Sequence, residues 1–299
     1  MMRQRGLVLL PVTLALAIVG ALAYAMTRDG AMTASSVDAQ YDIERARYLA
    51  EAGVNLVKWR NEQAGCGSTL GFTGPVTAVD GGTIDASGIA WKKPTLAMTV
   101  TASTARGSVN TVALTKDSGP TLHDMSKKVE ITIGAQNGSD TFIRYSPAVT
   151  SSNLSYLETT DGNAHALIKF GLSQVPVDAM IEEATLRLYL ASIASTQAGS
   201  LGVHRLLRDW SFSMGWSAGW TNPGGDFTPQ PSATIANVLA VSTTYTARID
   251  ALVRTLISQP ATNYGLLLKP TGLVTARFNS FEAASNQPQI FLRYYPACK

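Results

Sequence analysis

The chain has 299 residues, 15% of them charged, and a net charge of +3 with no clustering of Lys and Arg into stripes. That excludes phosphate neutralisation along a nucleic acid as its mode of binding, while the length allows two modest domains with cores of their own. Two cysteines, Cys66 and Cys298, and three scattered histidines, His123, His165 and His204, lack the C-x-x-C spacing of a zinc site.

In chain order, Leu7 to Thr27 carries no charged side chain and is mostly Leu, Val, Ala and Ile. About 20 apolar residues match a bilayer core, and Arg3 and Arg5 ahead of them place the N-terminus in the cytoplasm. These features predict a single-pass inner-membrane protein. The competing reading is a secretory signal peptide, with Ala23-Tyr24-Ala25 as its small-x-small cleavage site. The run exceeds an ordinary signal core, however, and the helical pattern continues beyond it. Ile43, Ala46, Ala50, Gly53 and Val57 recur at spacings of three and four and mark one face of an amphipathic helix. Gly65 and Gly67 end it. A helix unbroken from Leu7 to Trp59 would be about 80 Å long, with bends expected at Pro11 and Gly30.

Cys66 follows this helix and Cys298 is the penultimate residue. In an exported chain the two would form a bridge worth roughly 4–5 kcal/mol on loop-entropy grounds. A reducing compartment would leave two thiols instead.

The leader Arg3-Gln4-Arg5-Gly6-Leu7 and the later Ala46-Arg47-Tyr48-Leu49-Ala50-Glu51-Ala52-Gly53 resemble the N-terminus of type IV pilins, above all the large minor pilins and type II secretion pseudopilins. The resemblance implies cleavage by a prepilin peptidase after Gly6 and methylation of Leu7. It also implies packing of the helix against other pilin subunits. Pro11 stands where the family carries Glu at the fifth mature position. That departure points to a subunit at a filament tip, since the Glu contacts the neighbouring subunit during assembly.

From Leu70 to Lys128 the chain changes to short β-prone pieces. Thr95 to Thr104 and Ser108 to Thr115, joined by Ala105-Arg106-Gly107, predict a hairpin, and Thr83 to Trp91 a further strand. Asp117 to Lys128, with Gly119-Pro120, reads as a linker. Beyond it, strands are predicted at Val129–Ile133, Thr141–Arg144, Ala166–Phe170, Ala184–Ala191, Leu201–Leu207, Tyr264–Lys269, Ala276–Phe281 and Gln289–Tyr295. Their short, punctuated spacing suggests a β-sandwich. A short helix is predicted over Ala247–Ser258, where Ile249, Leu252, Val253 and Leu256 share a face.

Asp140-Thr141-Phe142-Ile143-Arg144, Ala166 to Leu172, Ala184 to Tyr189, Asp209-Trp210-Ser211, Asn263 to Leu268 and Phe278 to Glu282 resemble, in that order, the DNRLRE domain of bacterial and archaeal surface proteins. That resemblance implies a β-sandwich similar to carbohydrate-binding modules, some of which bind polysaccharide and others of which are structural.

The sequence Gly215-Trp216-Ser217-Ala218-Gly219 has the G-x-S-x-G spacing of a hydrolase nucleophile elbow, which needs a preceding strand, a following helix and a later histidine. Every histidine precedes Ser217, and Thr221-Asn222-Pro223-Gly224-Gly225 is a poor helix start, so the chain is read as a non-enzyme. Trp216 and Trp220 lie in a Gly-rich insertion, where exposed rings would stack on sugars; burial in the core is the alternative. Asp140, Asp161, Asp209, Asp226 and Glu282 offer hard oxygen donors for a structural calcium, but without D-x-D-x-D spacing, so no cofactor or metal is assigned.

The sequence thus predicts an α+β protein: a leader (residues 1–6), a pilin-like helix (7–65), a small antiparallel region with its linker (66–128) and a jelly-roll-like sandwich (129–299). The expected function is a minor tip pilin of a type IV pilus displaying an adhesive, glycan-binding domain at the cell surface. The alternatives are a type II pseudopilin that contacts cargo and a membrane-anchored polysaccharide-processing protein.

Overall fold

A computed structural model describes residues 9–63, 66, 75–78, 81–92, 95–115, 117–136, 138–147, 149–151 and 154–298, which divide into two units between Leu122 and His123. The first unit contains helix α1 (Leu9–Gln63) and strands β1 (Val76–Thr77), β2 (Thr83–Lys92), β3 (Thr95–Ser103) and β4 (Val109–Leu114). The strands form one antiparallel sheet in the order β1-β2-β3-β4. In β3, Leu96, Met98, Val100 and Ala102 are buried and alternate with half-buried, mostly threonine positions, the two-residue period of a strand with one face on a core. Ala46, Ala50 and Val57 of α1 are fully buried. Gly53 lies so near the sheet that a Cβ there would sit 2.6 Å from methyl groups of Ile84 and Val100. Only glycine permits that approach.

Ala46, Ala50, Gly53 and Val57 of the predicted face are buried, and only its first member departs. Ile43 is exposed, and the buried Asp42 takes its place, its carboxylate accepting the Thr104 hydroxyl at 2.8 Å. A threonine donor at the hairpin makes a carboxylate acceptable where periodicity asks for an apolar side chain.

The second unit contains β5 (Val129–Ile133), β6 (Ser139–Arg144), β7 (Val149–Ser151), β8 (Tyr156–Thr159), β9 (Ala164–Lys169), β10 (Met180–Ser192), β11 (Gly199–Arg205), β12 (Ala233–Val238), β13 (Thr243–Arg248), α2 (Asp250–Ser258), β14 (Leu266–Thr271), β15 (Ala276–Asn279) and β16 (Gln289–Tyr295). One sheet runs β5-β16-β10-β15-β8, with β13 also paired to β10. The other runs β12-β11-β14-β9-β6-β7. Leu186, Leu188 and Leu190 of β10, Ile290 and Leu292 of β16, and Phe278 of β15 meet Leu201 and Val203 of β11, Ile168 of β9 and Leu268 of β14 in one core. Leu252, Val253 and Leu256 of α2 belong to the same core. The predicted helix start at Ala247 is corrected to Asp250, because Thr243–Arg248 pair with Thr185–Leu190 of β10 as a strand.

Two larger expectations are overturned. The chain is not an α+β protein built on a pilin-like helix but is mainly β: three sheets carry the cores, and α1 joins one only between Asp42 and Glu62. The inner-membrane assignment is corrected as well. Among the described residues no helix is long and apolar enough to cross a membrane.

Phe278 is fully buried between the two sheets of the sandwich. Phe278→Ala should therefore lower stability by about 3–5 kcal/mol, measured by urea unfolding of the full chain.

Candidate functional site

The two sheets of the sandwich present their outer faces differently. On the sheet containing β9 and β14 the outer face is covered. Leu167 of β9, Ile143 of β6 and Leu267 of β14 point away from the main core and form a second cluster with Leu206 and Trp220. Residues 207–232, which contain neither strand nor helix, supply its cover. Strands buried on both faces read as continuous apolar runs, as Ala166-Leu167-Ile168 and Leu266-Leu267-Leu268 do.

The cover is held by directed hydrogen bonds. Asp226 accepts the N–H groups of Thr221 (2.9 Å) and Asn222 (3.0 Å) and pairs with Arg208 at 3.6 Å. Trp220 is buried and donates its Nε1–H to the Gly215 carbonyl at 2.9 Å, so it is a packing residue. Trp216 is half-buried, with its ring 4.8 Å from His165 and 6.4 Å from the exposed Tyr145. Ser217 is exposed one residue further along. His165 on β9 and His204 on β11 each donate an Nδ1–H to the cover, to the carbonyls of Gly224 and Thr228, both at 2.7 Å. Burial pushes the His165 imidazole down to about 4, against the pull of the Gly224 carbonyl and helped by the charge of Lys269.

The sheet containing β10 leaves its outer face open. Along β10, Arg187 and Tyr189 point outward between the inward leucines. Arg187 lies opposite Gln289 of β16, and Tyr189 opposite Thr244 of β13. With Asn286 and Gln287 from the loop between β15 and β16, these side chains line a cleft of about 210 Å³. Gln287 and Gln289 also line an adjoining hollow of about 310 Å³ with Thr132, Gln136 and Gln174. The cleft floor is thus extended, polar and rich in amides.

Its side chains are also unoccupied. Among the described residues, Tyr189, Thr244, Asn286 and Gln289 have no side-chain hydrogen-bond partner, and Arg187 engages only the face of Phe291, at 5.2 Å. Further along the same face the charges are spent on one another: Arg293 bonds Glu130 at 2.8 Å and Glu183 at 2.9 Å. Gln287 is partly committed too, its amide donating to the carbonyls of Phe281 (2.6 Å) and Ala283 (2.9 Å), which fixes the loop. Donors and acceptors on rigid strands, with an aromatic ring among them, are suited to hydroxyl-rich ligands.

Residues 136–294 match the family described as carbohydrate-binding module family 96. The chain belongs to this family. No curated protein matches it. The match supports the module-like reading of the C-terminal half, and it identifies a binding module rather than a catalyst. It does not reach the N-terminal residues, and the pilin resemblance, with its partners and peptidase, gains no support. The processing residues Gly6 and Leu7 lie outside the described residues. Neither cysteine is a free thiol, and Cys298 is buried.

Sequence reasoning missed the cleft because its residues come from three strands and a loop, and because Thr243–Arg248 carry no apolar alternation. The exposed alternate positions of β10 were its one sequence signal.

Because the folded-state pKa of His165 lies near 4 and its ordinary value near 6.5, the unfolded chain binds more protons between those limits. Stability contributed by the neutral ring is complete above pH 6.5 and is lost as pH falls toward 4. Unfolding experiments at pH 7 and pH 4.5 should show a loss on the order of 2–3 kcal/mol from this group. In His165→Gln most of that difference should disappear.

Proposed function

We propose that the C-terminal unit binds a polysaccharide chain along the cleft floored by Arg187, Tyr189 and Gln289. The observation that carries this reading is the set of polar side chains around Tyr189 that have no side-chain partner among the described residues, on the outer face of the sheet containing β10. The Tyr189 ring offers a surface for the axial C–H groups of a sugar. Arg187, Gln289, Thr244 and Asn286 supply donors and acceptors for its hydroxyls. The adjoining hollow at Thr132, Gln136 and Gln174 extends the site to a neighbouring residue of the chain.

A second reading is favoured by one observation, the contact of exposed Tyr145 with half-buried Trp216 on the opposite face. The two are separated by affinity electrophoresis of the full chain on gels cast with soluble plant, algal and bacterial polysaccharides. Tyr189→Ala and Arg187→Ala should each weaken retardation by about tenfold or more, as loss of a central contact does, with Trp216→Ala unchanged. The reverse pattern would move the site to the Tyr145–Trp216 face.

We also infer that Cys66 and Cys298 form the bridge expected of an exported chain, a reading supported by the fact that neither is free. Denatured without reductant, the chain should yield no titratable thiol, and a single thiol per chain would exclude the bridge.

A further inference from the structure

An open sheet edge is a template for another strand unless something guards it. In the second unit the edges are guarded. β7 has three residues and β8 four, β5 carries Glu130, β13 ends on Arg248, and a bulge breaks the pairing of β12 with β11. The outer edge of β4 in the first unit is different. Its six residues, Val109-Asn110-Thr111-Val112-Ala113-Leu114, include no charge and no proline. They pair with β3 in unbroken register. Among the described residues no strand lies beyond β4. Asn110, Val112 and Leu114 share a face with the buried Ala102, Val100 and Met98 of β3, yet they remain half-buried. Val109, Thr111 and Ala113 are exposed.

The hairpin sets which backbone groups are left over. The Thr104 N–H donates to the Ser108 carbonyl at 2.9 Å, so by the antiparallel alternation Asn110, Val112 and Leu114 turn their N–H and C=O groups to β3. Val109, Thr111 and Ala113 turn theirs to the open edge. A second β4, antiparallel and with a two-fold axis at Thr111, meets all three: Thr111 pairs with its own copy and Val109 with Ala113. Every side chain then keeps its proper face, because outward residues pair with outward ones and Asn110 meets Val112 on the α1 side. The two Thr111 side chains become cross-strand neighbours, continuing the line of the 3.2 Å Thr101–Thr111 hydroxyl contact. α1 packs over β3 and β4 more than over β2. With strands about 4.8 Å apart, the two helices come to lie about 10 Å apart, an ordinary packing distance. We propose that two copies of the chain join edge to edge through β4, which merges their four-stranded sheets into one. The interface belongs to the first unit and is independent of whether the cleft binds sugar.

Sedimentation equilibrium of the full chain should give the mass of two copies at about 100 μM and a falling mass on dilution. Thr111→Pro removes an N–H that serves only the edge, where a strand tolerates proline. It should leave a single copy with an unchanged far-UV spectrum. Thr111→Lys, a guard of the kind natural edges carry, should weaken association at least about tenfold while leaving β3 pairing intact. Cα atoms of a hydrogen-bonded antiparallel pair lie about 5.5 Å apart, a distance that a disulfide spans. Thr111→Cys should therefore form a covalent dimer on mild oxidation, and Val177→Cys, exposed in the other unit, should not. An unsubstituted chain that stays a single copy at about 100 μM overturns the proposal. A dimer that survives Thr111→Lys undiminished does so too, as does a Thr111→Cys chain that crosslinks no better than Val177→Cys.

Discussion

Strand β10 sits between β16 and β13, and the strict alternation of its side chains sets both faces of the sheet at once. Leu186, Leu188 and Leu190 are wholly buried, so Arg187 and Tyr189 have nowhere to point but outward. A slip of one residue would bury a guanidinium and expose leucines, at a cost far above any gain in pairing. The register with Gln289 on one side and Thr244 on the other is therefore fixed by the core. The cleft depends on that register, since its lining side chains make almost no bonds among themselves.

The opposite sheet solves a different problem. Its strands β9 and β14 are apolar on both faces, and a bare outer face would leave Leu167 and Leu267 in water. The cover formed by residues 207–232 removes them from it, which is why the tryptophans of that segment turn inward. Trp220 gives its N–H to the cover's own backbone, and Trp216 leans on His165. The histidines that fasten the cover remain neutral because they are buried, so the fastening is tied to pH through desolvation.

A buried carboxylate is tolerated only with compensation, and the protein uses several forms of it. Asp42 in the first unit relies on hydroxyl donors, and Glu158 on two guanidinium groups. Asp226 at the rim of the cover relies on backbone N–H groups and Arg208. Asp140 is the exception, with a single N–H donor and a second acid beside it.

The sequence by itself determined the strands whose apolar residues alternate or run together, such as Ala184–Ala191 and Gln289–Tyr295, and from these the sandwich. Local periodicity suffices there because each side chain reports its own burial. It failed at Ile43 alone, where the neighbouring Asp42, bonded to a threonine 62 positions away, is the buried residue. It failed again at Thr243–Arg248, whose strand pairing is imposed by β10 and not by its own composition. The sequence left Trp216 and Trp220 open between exposure and burial, and it is the packing of their loop on an apolar sheet face, which no local pattern announces, that leaves Trp220 buried and Trp216 half-buried. Beyond the exposed positions of β10, the cleft belongs to the tertiary structure. It brings together residues distant in sequence, and only the pairing of strands determines which of them become neighbours.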